Sequence, residues 1–272
     1  RVELNGGAAP GAGADYDQTN VAGTVDVTGG TLNLSGSRTA NNDGAAIVII
    51  RNDGADAVTG TFTGLGEGAV VQLNGILYQM TYVYNADGGS VGNDVALLDA
   101  GPQALYWDAD GDASTATGGT GTWDTSTLQW RAGSLAGPLV AWNNANNDDA
   151  VFPTAAGTVS VQPAGATARS LAFQVNGYTL QNNILTLGPG TGTISVTTGT
   201  ATVSAEVAGT AGLTKAGAGT LVLAGANSYD GVTAVNTGVL RISDPAALGS
   251  STAGTSVAGN ARLELSGGIT VA

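Results

Sequence analysis

Cysteine and histidine are both absent from this 272-residue chain, lysine occurs once, at Lys215, and charged residues make up only 11% of it. Without cysteine, neither disulfides nor thiolate metal sites can hold the fold, so stability must come from burial and backbone ladders. Without histidine, the usual general base, every Ser-His-Asp arrangement and every His-based zinc site are excluded. The few basic residues, eight Lys and Arg against 21 Asp and Glu, leave a formal net charge of −13. That charge repels phosphate backbones and anionic membrane surfaces, so neither nucleic acid nor direct membrane insertion is expected. Long apolar runs are missing as well: the hydrophobic 42% is broken throughout by Gly, Thr and Asn, and no run nears the roughly 20 residues a spanning helix needs. Nor does any stretch combine strong helix formers with an apolar period near 3.6.

What is present favours strands joined by tight turns. The chain has 44 Gly and a surplus of Ala, Thr, Val and Asn. Thr and Val suit a pleated surface, and Gly and Asn accept the positive φ of sharp turns. No apolar leader precedes Arg1, and Leu263 to Ala272 still read as strand and turn, which suggests a piece of a longer protein.

Three textures follow one another. Residues 1–103 hold alternating runs such as Gly23–Val27 and Thr31–Leu34, a continuous apolar run from Ala46 to Ile50, and a longer strand from Leu77 to Tyr84 with Tyr78, Tyr82 and Tyr84 on one side; a more antiparallel strand set is expected there. Residues 104–161 contain all four Trp, at 107, 123, 130 and 142, among many Asp, Asn and Thr, which marks a Trp-rich insert module. Residues 162–272 return to short strands at a coarse repeat. Thr220–Leu223, Val239–Ile242 and Arg262–Leu265 align so that Leu221, Leu240 and Leu263 fall in register. A rung of about 20 residues that returns like side chains to the same inward place builds a parallel β-helix, or β-solenoid.

The run from Gly212-Leu213-Thr214-Lys215 through Gly217, Gly219-Thr220-Leu221, Asn227 and Tyr229 to Leu240 resembles the autotransporter-associated β-strand repeat, also called the passenger-associated transport repeat. Around it, Trp107-Asp108, Gly121-Thr122-Trp123-Asp124, Trp130 and Asp149–Phe152 are similar to the Trp-rich lead-in of such repeats. Asp15–Gln18, Asn52–Phe62 and Gly92–Leu97 resemble the module that closes a run of them. The resemblance implies a right-handed parallel β-helix displayed outside a Gram-negative-type cell, with the repeat assisting secretion and folding of the passenger. The barrel domain of an autotransporter has no counterpart in these residues.

Two constellations could bind ligands. Asp108, Asp110 and Asp112 alternate in a Gly-containing loop, a spacing that can wrap oxygen ligands around Ca²⁺, against which stands an acidic solvated loop. Ala113 and Gly119 occupy the places where an EF-hand loop has its Gly and Glu. The four Trp, beside Asn143, Asn144, Asn146, Asn147, Asp148 and Asp149, offer the aromatic faces and amides of a glycan groove if the indoles are exposed, and a small hydrophobic core if they are not. Lys215 lies inside the repeat, where a structural role accounts for it, Arg241 and Arg262 should point to solvent, and no catalytic pair is evident. Gly6-Gly7 and Gly118–Gly121 lack a following helix and a phosphate-binding Lys, and read as turns.

The sequence therefore predicts an all-β chain, mostly parallel β-solenoid, and not an enzyme. Its expected role is structural and extracellular, as an adhesin shaft or matrix filament element, at the cell surface or secreted. Open solenoid ends predict end-to-end homopolymers. A carbohydrate-binding surface module and a β-helix polysaccharide lyase or hydrolase are the alternatives.

Overall fold

A computed structural model describes residues 1–5, 15–38, 46–53, 56–87, 92–112, 114–189 and 192–271. Gly6 and Gly7, expected in a turn, and Gly54, Ala55 and Ala113 lie outside these. Every regular element among the described residues is a β-strand, and no helix there is long and apolar enough to cross a membrane. The chain divides into two compact units, Arg1–Gly101 and Pro102–Ala272.

The first unit is built on a five-stranded sheet in the order Thr19–Val21, Ile47–Asn52, Asp94–Asp99, Ile76–Tyr84, Val70–Leu73. Only its first pair is parallel. Ile47, Val48 and Ile49 are all buried, as a strand covered on both faces requires, and Tyr78 and Tyr82 join Ile47, Ile49, Met80, Val95 and Leu97 in the core. Four polar residues of the predicted closing module knit this sheet. The Asp94 carboxylate accepts the backbone N–H of Asn52 (2.9 Å) and of Ala86 (2.7 Å), and Asn93 Nδ2 donates to the carbonyls of Asn52 and Asp53.

The second unit is the solenoid. From Asp149 onward the chain visits a first, a second and a third face in turn: Asp149–Phe152, Thr158–Val161 and Ala166–Ala168, then Ser170–Phe173, Thr179–Gln181 and Ile184–Leu187, then Thr193–Val196, Thr200–Val203 and Glu206–Ala208. Each strand pairs in parallel with its counterpart one rung further along the chain. The expected register holds: Leu221 lies opposite Leu240, and Leu240 opposite Leu263. Period-two alternation gives each strand one inward row. On the first face the row reads Ala150, Leu171, Ile194, Lys215, Val235. All five are buried, although the fourth is a lysine.

The Trp-rich segment shares these sheets and is not a separate unit. Ala104–Trp107 pairs in parallel with Asp149–Phe152, and Gly121–Trp123 with Thr158–Val161. An antiparallel hairpin, Leu128–Ala132 with Leu139–Ala141, extends the first face beyond Ala104–Trp107. That hairpin explains why the coil from Ala104 to Asp149 is about twice as long as the later ones.

Candidate functional site

The four indoles are 0–1% exposed. They pack on one another edge-to-face or tilted, with centroids 4.7–5.0 Å apart between Trp123 and Trp142, Trp130 and Trp142, Trp107 and Trp130, and Trp123 and Trp130. Phe152 and Phe173, stacked at 4.8 Å one rung apart, continue this aromatic core into the solenoid. Exposure was the condition for a sugar-stacking groove, and it is not met: burial of an apolar ring holds the core together and leaves no face for a pyranose. The neighbouring amides are used in the same way. Trp142 Nε1 donates to Asn144 Oδ1 and to the Thr167 carbonyl, both at 3.1 Å, while Asn144 Oδ1 also accepts the Thr167 backbone N–H at 2.8 Å. Asn144 thereby caps the outer edge of the strand Ala166–Ala168. Asp148 is fully buried and accepts the Gln103 backbone N–H at 2.7 Å; burial pushes its pKa up to about 6.

Asp108, Asp110 and Asp112 do come together, with one carboxylate oxygen of each within 4.8 Å of the others. A cation is already there. Arg131, on the neighbouring antiparallel strand, is buried against Asp108, with Nε 2.6 Å from Oδ2. Its guanidinium also donates to the carbonyls of Gly137 and Asp112. The second Asp108 oxygen accepts from Thr117 N and Oγ1, and Asp112 accepts from Ser114 N and Oγ. The donor set fits Ca²⁺ poorly, because a fixed guanidinium neutralises the one buried carboxylate and would repel a second cation.

The repeat residues form the one cluster of buried polar side chains, among the described residues, that bridges successive rungs of the later solenoid. Leu213, Leu221 and Leu223 are core residues, and Thr214 and Thr220 alternate with them on the outer side. Gly212, Gly217 and Gly219 lie where turns of adjacent rungs nearly touch. At Gly217, with φ of 77°, a Cβ would sit 2.3 Å from the Val196 carbonyl oxygen, so both the conformation and the stacking distance demand glycine. Lys215 takes an inward place and is buried. Its Nζ donates to the carbonyls of Ala216 (2.8 Å), Gly217 (2.8 Å) and Thr237 (3.1 Å), which matches the three donors of an ammonium. Burial draws its pKa down to about 8, while three carbonyl acceptors favour the charged form.

Asn227 stands where the third face has lost its strand. Its Oδ1 accepts from Val207 N at 2.8 Å on the preceding rung, and its Nδ2 donates to Ala247 O at 2.6 Å on the next. Tyr229, fully buried, lies 2.6 Å from Thr233 Oγ1. Because Thr233 gives its one proton to the Leu248 carbonyl at 3.2 Å, the tyrosine is the donor of the pair; burial raises its pKa to about 12. Arg241 and Arg262 lie on the outside as expected, and Arg241 is 2.8 Å from Glu264 of the next rung.

Residues 213–242 match the passenger-associated-transport-repeat family. The chain is also 42% identical over 180 residues, 64% of its length, to the adhesin BmaC autotransporter of Brucella suis biovar 1, and it spans 5% of that relative's length. No solved structure matches it. The match and the stacked rungs agree: this is a β-solenoid chain whose residues 213–242 are similar to a passenger-associated transport repeat.

Proposed function

We propose that the chain is a structural segment of a cell-surface or secreted adhesin passenger, in which the coil serves as a spacer and not as a catalyst. The observation that carries this reading is the similarity to an autotransporter adhesin over 180 residues, in a chain whose second unit stacks one parallel rung on the next. Each added rung lengthens such a coil by about 4.8 Å and buries another row of Leu, Val and Ile. We take the coil to be right-handed, as in the family it resembles. Lys215, the one lysine, has its three donors bound by carbonyls and is not available as a base.

Antibodies raised against the purified chain test the placement. They should label intact cells that produce the parent protein, or its culture fluid, as strongly as lysed cells; labelling of lysed cells alone would sink the reading. End-to-end stacking on a second copy should appear as sedimentation that depends on concentration. A melting point unmoved by chelator would agree with Arg131 as the cation of the acidic loop, and a large drop would restore Ca²⁺ there.

A further inference from the structure

We infer that Lys215, Asn227 and the Tyr229–Thr233 pair form a register key that locks three consecutive rungs to one another. The apolar rows cannot do this alone. Leu, Val and Ile recur at alternate positions along strands such as Thr220–Leu223 and Gly238–Ile242, so a slip of two residues returns aliphatic side chains to the inside, and only a slip of one is forbidden by the pleat. The rungs are also unequal, that from Leu240 to Leu263 being longer than that from Leu221 to Leu240, so the turns tolerate such slack.

Each polar member of the key is completed by a different rung. Lys215 is satisfied within its own turn by Ala216 and Gly217, but its third acceptor is Thr237 on the next rung. Asn227 joins Val207 behind it to Ala247 ahead. Tyr229 is tied through Thr233 to Leu248. A two-residue slip of the strand Gly238–Ile242 still turns Leu240 or Ile242 inward, but it carries the Thr237 carbonyl away from Lys215 and, with the turn that follows, the Ala247 and Leu248 carbonyls away from Asn227 and Thr233, leaving buried polar groups unpaired, the least favourable groups to bury. Buried polar groups that specify register at some cost in stability are the best-attested use of such residues. The key also makes residues 206–208, 213–231 and 233–250 order together, since none of the three sites is complete with one rung alone.

The single lysine makes this testable on the full chain. In acetylation with an amine-reactive ester, Lys215 should react at least about a hundredfold more slowly in the native chain than in urea. In parallel, Lys215→Met keeps the volume and removes the ammonium; amide exchange across 233–250 should then quicken about tenfold or more while the chain stays folded. Native acetylation at the unfolded rate, or unchanged exchange across 233–250 in Lys215→Met, would overturn the proposal. Should Lys215→Met fail to fold, Asn227→Ala supplies the same exchange readout at 206–208 and 246–250, where unchanged protection overturns it equally.

Discussion

The Trp-lined coil and the repeat rung belong to one unit but keep their strands in place by opposite means. Around Trp107, Trp123, Trp130 and Trp142 the core is aromatic, and rings meeting edge-to-face at 4.7–5.0 Å fit in one arrangement only. Two residues of slip there would drive an indole into backbone, so shape alone fixes the register. Around Leu213, Leu221, Leu240 and Ile242 the core is aliphatic and nearly self-similar, and buried polar groups supply what shape cannot. A long solenoid of interchangeable rungs therefore needs an occasional rung of fixed identity.

Substitutions can break each side of that contrast. The largest effect is expected at Trp130→Ala, which empties the centre of the indole cluster and should destabilise the second unit by about 4 kcal/mol in urea unfolding. Asp108→Ala strands the buried Arg131 guanidinium and should lose about 3 kcal/mol, with Asp108→Asn losing less because Thr117 keeps an acceptor. Asn227→Ala should lose about 2 kcal/mol, because Val207 N and Ala247 O are left without their partners; a loss as small as that of an exposed site would show that the aliphatic rows suffice.

The smallest effect depends on pH. Asp148 has its carboxyl raised from 3.8 to about 6 in the folded chain, so the folded state binds the proton more tightly than the unfolded one. Its stabilising contribution is therefore present below about pH 4 and lost as the pH rises through about 6. Asp148→Asn should flatten that part of the stability profile and gain about 1 kcal/mol at pH 7, measured by melting across pH 4–8.

Much of this was legible because a solenoid writes its register into spacing. Leu221, Leu240 and Leu263 align in the sequence, and they are paired as aligned. The third face was not visible, since Ala166–Ala168 and Glu206–Ala208 are three residues each and too short to show a period. Neither was the site at Asp108 as it stands: its partner Arg131 arrives through antiparallel pairing of Trp107 with Trp130, and no local spacing announces it. The repeat signalled that Lys215 and Asn227 matter. Their partners, however, are backbone carbonyls and amides of other rungs, and backbone groups carry no residue identity for a sequence to display. The Trp cluster was ambiguous between groove and core until burial decided it.

The register itself can be measured most directly in a chain that contains no native cysteine to interfere. Thr202 and Val222 face outward as direct partners on successive rungs. With Thr202→Cys and Val222→Cys combined, oxidation should close an intramolecular disulfide in high yield, whereas Thr202→Cys with Thr220→Cys, one slip away, should cross-link at least about tenfold less. Equal yields from the two pairs would contradict a fixed register, and with it the account of what the repeat does.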